Sequence, residues 1–258
     1  VGLTFKVSAV LSHFWALDVY QGSPTVITAF MATIGKTAAF AALYRLLFVC
    51  FKGAVPLWFE AVWVITALTI IVGNFSAIAQ KSVKRMLAYS SISNAGYLMI
   101  AVLAMNEKAS SALFYYAAAY SLATICAFAV LMVVQQNRKS DDYNAFHGLA
   151  KSNPFLAGIL IISMLSLAGI PPLAGFFAKY YIFANAIENN YIWIVIIAVL
   201  SSLMGIYYYF KLIVAVFQPS EEEYVIKAKG SFNLILALAA LIILILGIAP
   251  GLLTGLLK

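Results

Sequence analysis

Long apolar runs separated by short polar turns dominate this chain. Eight runs read as membrane-spanning helices, near 1–17, 24–50, 56–79, 83–105, 109–135, 154–187, 191–217 and 231–256. A helix needs about 20 apolar residues to cross a hydrocarbon core, and all but the short first run reach that length. Spanning barrels instead alternate apolar and polar positions over ~10-residue strands. The pattern therefore predicts an all-α, polytopic transmembrane bundle, one domain over 1–258. Turn signals separate the runs: Gly22-Ser23-Pro24, Gly53 to Pro56, Asn106-Glu107, Asn153-Pro154, Asn189-Asn190, and the polar stretch from Pro219 to Gly230. Pro24, Pro56 and Pro154 stand where helices begin, where a missing N–H costs no intrahelical bond.

Two runs carry interruptions. The sixth contains Gly169-Ile170-Pro171-Pro172-Leu173-Ala174-Gly175-Phe176. Pro171 and Pro172 lack N–H donors and exclude regular helix. The freed backbone groups must face protein or water, not lipid. This is either a packing kink or a hydrated break. The first run carries Lys6, Ser8, Ser12 and His13 inside apolar sequence. The two runs lie five segments apart, so their directions oppose. Interrupted helices at matching places of an inverted repeat point to a transport site.

Composition supports this class. Of 258 residues 64% are hydrophobic and only 10% charged, against about 25% charged in soluble domains. The net charge of +7 sits in loops, which fits the positive-inside bias and excludes nucleic acid as a partner. Loops after segments one, three, five and seven hold Lys81, Lys84, Arg85, Arg138, Lys139, Lys151, Lys227 and Lys229; the opposite side holds Lys52, Lys108 and Lys258. The first side is expected in the cytoplasm and the C-terminus outside. The run Glu221-Glu222-Glu223 reads as a solvated cytoplasmic loop. Cys50 and Cys126 lie in apolar runs, without disulfide or metal spacing. No CxxC cluster, paired histidine, Walker motif or GxGxxG after a strand is visible, so no cofactor or metal site is expected in the chain. Val1 is not Met and opens inside an apolar stretch, which predicts a preceding N-terminal portion.

The candidate chemistry lies in three lysines within apolar runs: Lys6, Lys36 and Lys179. A charge at mid-bilayer costs about 2.5–3.5 kcal/mol on insertion scales, so three argue for a use. Lysine, as a residue type, can load and release a proton when buried. Lys36 lies about thirteen residues, roughly 20 Å by helical rise, from either end of its run, too deep for easy snorkelling. Lys179 follows Pro172 by seven residues. Arg45 and Lys211, near run ends, read as snorkelling side chains. Glu60 is interfacial and a weaker candidate, for proton exit. His13 reads equally as a packed histidine or a relay between lysines, and His147 as structural. Tyr89, Ser90, Ser91, Ser93, Asn94 and Tyr97 give segment four a polar side, for ordered water or for hydrogen bonds to neighbouring helices. Tyr207, Tyr208 and Tyr209 read as interfacial aromatics.

These motifs resemble a known family. Phe5-Lys6-x-Ser8-Ala9-Val10-x-x-His13-Phe14-Trp15-Ala16-x-Asp18-Val19-Tyr20-Gln21-Gly22-Ser23-Pro24-Thr25 is similar to the broken-helix signature of subunit N (the mitochondrial ND-two type) of proton-pumping NADH:quinone oxidoreductase, respiratory complex I. Lys84-Arg85-Met86-Leu87-Ala88-Tyr89-Ser90-Ser91-Ile92-x-x-x-Gly96-Tyr97 and Gly169 to Lys179 match its other two signatures, the last of which is shared across antiporter-like subunits. The resemblance implies the C-terminal half, helices seven to fourteen, of a fourteen-helix antiporter-like subunit. It implies a proton relay through Lys6, Lys36 and Lys179, and a glutamate partner on an earlier helix that this chain lacks. It also implies partners: the other membrane-arm subunits, the missing N-terminal half and the lipid bilayer. NADH, FMN, iron–sulfur clusters and quinone would belong to partner subunits, in a bacterial inner membrane. Leu11-Ser12 and Leu17 replace family prolines, which predicts a softer first break. Asn94 stands where histidine is common. A related cation/proton antiporter or membrane-bound hydrogenase subunit, and a non-pumping scaffold, are the competing expectations.

Overall fold

The computed structural model describes residues 2–220 and 230–255. The acidic run 221–223, Lys227, Lys229 and the C-terminal Lys258 lie outside the described residues. The described chain is helical: α1 (Gly2–Lys6), α2 (Phe14–Gly22), α3 (Thr25–Cys50), α4 (Val55–Ile78), α5 (Val83–Ala104), α6 (Glu107–Arg138), α7 (Pro154–Ala168), α8 (Ala174–Glu188), α9 (Ile192–Phe217) and α10 (Gly230–Ile248). Six of these, α3, α4, α5, α6, α9 and α10, are long and apolar enough to cross a membrane. The remaining two segments are the interrupted pairs α1/α2 and α7/α8. Eight segments are thus present among the described residues, six continuous and two broken. The first runs to Gly22 rather than position 17, because the non-helical stretch Val7–His13 lengthens it.

The protein is an integral membrane protein with an unusual centre. Helix α5 is almost wholly enclosed, packed against α2, α3, α4, α6, α8 and α9. Apolar sequence alone does not require this, since lipid is as apolar as leucine; small residues allow the approach. A Cβ on Gly73 would stand 2.6 Å from the Ser93 nitrogen, and one on Gly96 would stand 2.5 Å from the Ile70 side chain. These glycines bring the α4 and α5 backbones together. Two π-type turns, Met31–Gly35 and Leu46–Cys50, interrupt the α-helical ladder of α3.

The loops divide between two ends, as crossing parity requires. At one end Ser82 Oγ donates to Asp141 (2.7 Å), and Gly148 N to the Gln218 carbonyl (2.7 Å). These contacts join the loops after segments three, five and seven. Lys84 joins them to the loop after segment one. It is not the solvated loop charge that the sequence predicts: it is 3% exposed and donates to the carbonyls of Gln21 (3.2 Å) and Ser23 (2.6 Å). It thereby serves the carbonyls left open where α2 ends. At the opposite end Asn106 Nδ2 donates to Asn185 Oδ1 (3.1 Å), and exposed Lys108 pairs with Glu188 (2.7 Å).

Candidate functional site

The break between α7 and α8 follows from its prolines. In a continuous helix the carbonyl of Ala168 would accept the N–H of residue 172, and Pro172 has none. Gly169 instead takes φ 84°, and the Pro171-Pro172 peptide is cis. The orphaned Ala168 carbonyl accepts from Lys179 Nζ at 2.8 Å. The half-buried ammonium also lies 5.3 Å from the centre of the Tyr97 ring. Its charge thus rests at the negative end of the α7 dipole and on an aromatic face. A Cβ on Gly175 would fall 1.7 Å from the Ser166 carbonyl oxygen, and one on Gly247 would fall 1.9 Å from the Pro172 carbonyl oxygen. The break is therefore clamped between α7 and α10. A cavity of about 10 Å³ adjoins Lys179, lined by Asn94, Tyr116, Tyr120 and Ser166 among others; that is room for about one water.

The first break has no proline, yet it is not softer. Seven residues, Val7–His13, leave the helix, with Ser8 at φ 61° and Leu11 at φ 80°. Tertiary bonds hold it open: Val10 N donates to Thr69 Oγ1 (2.9 Å), and Trp15 Nε1 to the Phe5 carbonyl (3.0 Å) across the gap. The Phe5 and Trp15 rings stack at 5.2 Å. Lys6 ends α1 and is exposed, contrary to the expectation of a buried charge. The short α1 packs on the Lys36–Arg45 part of α3. His13 is 6% exposed and stacks on Phe14 at 4.4 Å. Its Nδ1 and Ser8 Oγ are buried without a hydrogen-bond partner among the described residues.

Lys36 follows the first π-type turn and is 2% exposed. Its ammonium donates to both the carbonyl (2.7 Å) and the hydroxyl of Ser91 on α5. The hydroxyls of Tyr20 and Tyr120 are within electrostatic reach of Ser91, and both are buried without a hydrogen-bond partner among the described residues. One turn along α5, Asn94 Oδ1 accepts from the Tyr116 hydroxyl (2.7 Å) and its amide donates to the Ser90 carbonyl (2.8 Å). Lys36 and Lys179 therefore flank the same polar face, one against Ser91 and the other beside the cavity that Asn94 lines. Glu60 is exposed on the first turns of α4 and joins neither lysine.

The polar side of segment four makes hydrogen bonds to neighbouring helices, through Ser90, Ser91, Asn94 and Tyr97, and Asn94 also lines the cavity. The tyrosine cluster of α9 departs from expectation. Tyr207 is exposed, but Tyr208 and Tyr209 are each 1% exposed and polar-bonded. Tyr208 donates to Asn74 Oδ1 (3.0 Å), whose amide donates to Tyr97 (3.1 Å), and Tyr209 bonds with Ser90. Asn74, Tyr116, Tyr120, Tyr208 and Tyr209 were missed in the sequence. A lone Asn in an apolar span was the available signal for Asn74. Tyrosines in apolar helices look alike whether they face a core or an interface.

Two opposed broken segments packed around a buried, lysine-flanked polar helix define a class, the antiporter-like membrane subunit. The model of the family described as "NADH:quinone oxidoreductase/Mrp antiporter, TM" matches residues 1–205, and the chain belongs to that family. The chain is 44% identical to NADH-quinone oxidoreductase subunit N of Cytophaga hutchinsonii, over 98% of this chain and 56% of that protein. For the subunit N of Desulforamulus reducens the values are 40%, 97% and 52%. Among solved structures, a chain of respiratory complex I from Thermus thermophilus with bound Aureothin superposes with a TM-score of 0.88 at 41% identity, covering 100% of this chain and 57% of that one. A chain of the Mrp complex from Dietzia sp. DQ12-45-1b shares the fold at 21% identity, TM-score 0.88, over 99% of this chain and 56% of that one. The chain thus spans about half the length of the relatives it matches.

Proposed function

We propose that this chain acts as an N-type antiporter-like subunit of a proton-translocating NADH:quinone oxidoreductase, moving protons across the membrane while quinone is reduced elsewhere in the complex. The observation that carries this reading is the placement of Lys36 and Lys179 on two sides of one polar helix. Each rests on a neutral oxygen rather than on a carboxylate. A buried ammonium without a counter-charge is costly and is retained where charge must move. Lys36 would relay the proton inward by way of Ser91, Tyr20 and Tyr120. Lys179 would carry it on through the cavity toward the far side. The buried, unpartnered polar atoms of Ser8, His13, Tyr20 and Tyr120 support a path that water completes. Lys6, being exposed, suits an ion-pair partner supplied from outside the described residues, through which it senses the electrostatic push. Glu60, exposed at the end opposite Lys84, would serve proton exit there.

In this reading the partners are the other membrane-arm subunits. NADH, FMN, iron–sulfur clusters and quinone are bound by other subunits of the complex. The membrane is a bacterial inner membrane, with the Lys84 end of the bundle in the cytoplasm. The competing antiporter or hydrogenase assignment shares the lysine physics; the relatives named subunit N favour the first.

The test is Lys179→Met in the complete assembly, with proton pumping measured against quinone reductase turnover. Loss of pumping and of coupled turnover in an intact complex is expected. Unaltered pumping in an intact complex would leave only a scaffold role.

A further inference from the structure

At the end of the bundle that carries Lys81, Arg85, Arg138, Lys139 and Lys151, a groove of about 460 Å³ runs between the last turns of α9 and the turn Tyr143–Phe146. Its α9 wall is formed by Tyr207, Phe210, Lys211, Val214 and Ala215, continued by Gln218 just past the helix end. These positions recur every three to four residues and so form one helix face. The other wall holds Tyr143, Asn144 and His147. This groove lies outside the proton path proposed above.

Its chemistry is sorted along its length. The polar end contains Lys211, His147, Asn144 and Gln218. The exposed Lys211 ammonium lies 4.5 Å from the centre of the Tyr143 ring, and it makes no ion pair with any described residue. Tyr143 is only 8% exposed, and its hydroxyl is buried without a partner among the described residues. Burial, and next the neighbouring Tyr207, push that hydroxyl's pKa above the usual range, so it remains an O–H donor. From Lys211 toward the middle of α9 the wall is apolar: Phe210 and Tyr207 are both exposed, while Val214 stands one turn nearer the helix end. Lys211 stands six residues before the end of α9 at Phe217. That is about 9 Å by helical rise, within snorkelling reach of the headgroup layer.

We infer that this groove binds an anionic phospholipid, with its phosphodiester between Lys211 and Tyr143 and an acyl chain along Phe210 and Tyr207. A small soluble anion would use only the polar end and leave the apolar track unexplained. A zwitterionic lipid would gain little from a lysine that no described carboxylate pairs, at a bundle end already rich in bases, whereas an anionic one is drawn to it.

The test uses the full chain in detergent, with bound lipid counted by native mass spectrometry after titration with phosphatidylglycerol or phosphatidylcholine. Wild type is expected to retain one phosphatidylglycerol in preference to phosphatidylcholine. Lys211→Gln should weaken that retention about fivefold, as for the loss of one lysine near an anionic surface. Lys211→Arg should restore it, and Tyr143→Phe should weaken it. A matched thermal unfolding midpoint for Lys211→Gln and Lys211→Arg separates lost binding from lost fold. Equal retention by Lys211→Gln and wild type would overturn the inference, as would equal retention of the two lipids. Inorganic phosphate displacing phosphatidylglycerol at matched concentration would make this a soluble-anion site. Photo-crosslinking from position 211 in the assembled complex that captured a neighbouring subunit instead of lipid would make it a protein interface.

Discussion

Lys179 donates to the Ala168 carbonyl at 2.8 Å, the acceptor that Pro172 cannot serve. The lysine is thus tied to the break that precedes it, and its stem lies against Gly169, 3.0 Å from where a Cβ would stand. Charge and interruption form one unit. Lys179→Met should leave that carbonyl unpaired, a cost of ~1–3 kcal/mol. Faster amide exchange at Gly169, Ile170 and Leu173 is expected, along with lost pumping. Lys179→Arg should keep the slow exchange. Wild-type exchange in the Met variant would show that the lysine does not hold the break.

The clamp around the break is steric. Gly175→Ala and Gly247→Ala each drive a methyl group into a backbone oxygen that cannot move aside. Both should lower the thermal unfolding midpoint strongly, by at least the ~1–3 kcal/mol typical of overpacking. Gly158→Ala, on α7 with open space around it, should shift stability by no more than about 1 kcal/mol, in the stabilising direction. Comparable midpoints for all three would contradict the close approach.

For Lys36 the partner is Ser91. A double-mutant cycle with Lys36→Met and Ser91→Ala should give a coupling of about 1.5–3 kcal/mol for a charge-assisted bond. Lys36→Met alone should leave the protein as stable as wild type or more so, since an uncompensated buried charge is removed, while proton pumping falls. A folded, fully pumping Lys36→Met complex would remove Lys36 from the path.

Lys84 fixes the end of α2 through the carbonyls of Gln21 and Ser23. Lys84→Met should cost ~1–3 kcal/mol for the two part-buried carbonyls left without their donor and speed amide exchange across α2, with α5 unaffected. Uniform exchange across both helices would mean that the lysine contributes only surface charge.

Hydropathy length set the eight segments, and Pro171-Pro172 set one break, because chain composition and missing N–H groups are local properties. Which loops share an end of the bundle was legible from crossing parity. The first break was not: its prolines are absent, and distant groups such as Thr69 hold the unwound backbone of Val7–His13. Lys36 and Lys179 were legible as charges in apolar runs, but their acceptors were not, since Ser91 and the Ala168 carbonyl carry no sequence signal of pairing. Lys6 and Lys84 exchanged their expected environments. Burial of a long side chain depends on which neighbour covers it, and in a membrane protein the outside of the bundle is as apolar as the inside. For the same reason Tyr208 and Tyr209 could not be told from interfacial aromatics. The sequence by itself determined the number of apolar segments and which charges cost energy. Only the packing of α5 among six neighbours decided which polar atoms meet, because hydrogen bonds are directional and hydropathy is not.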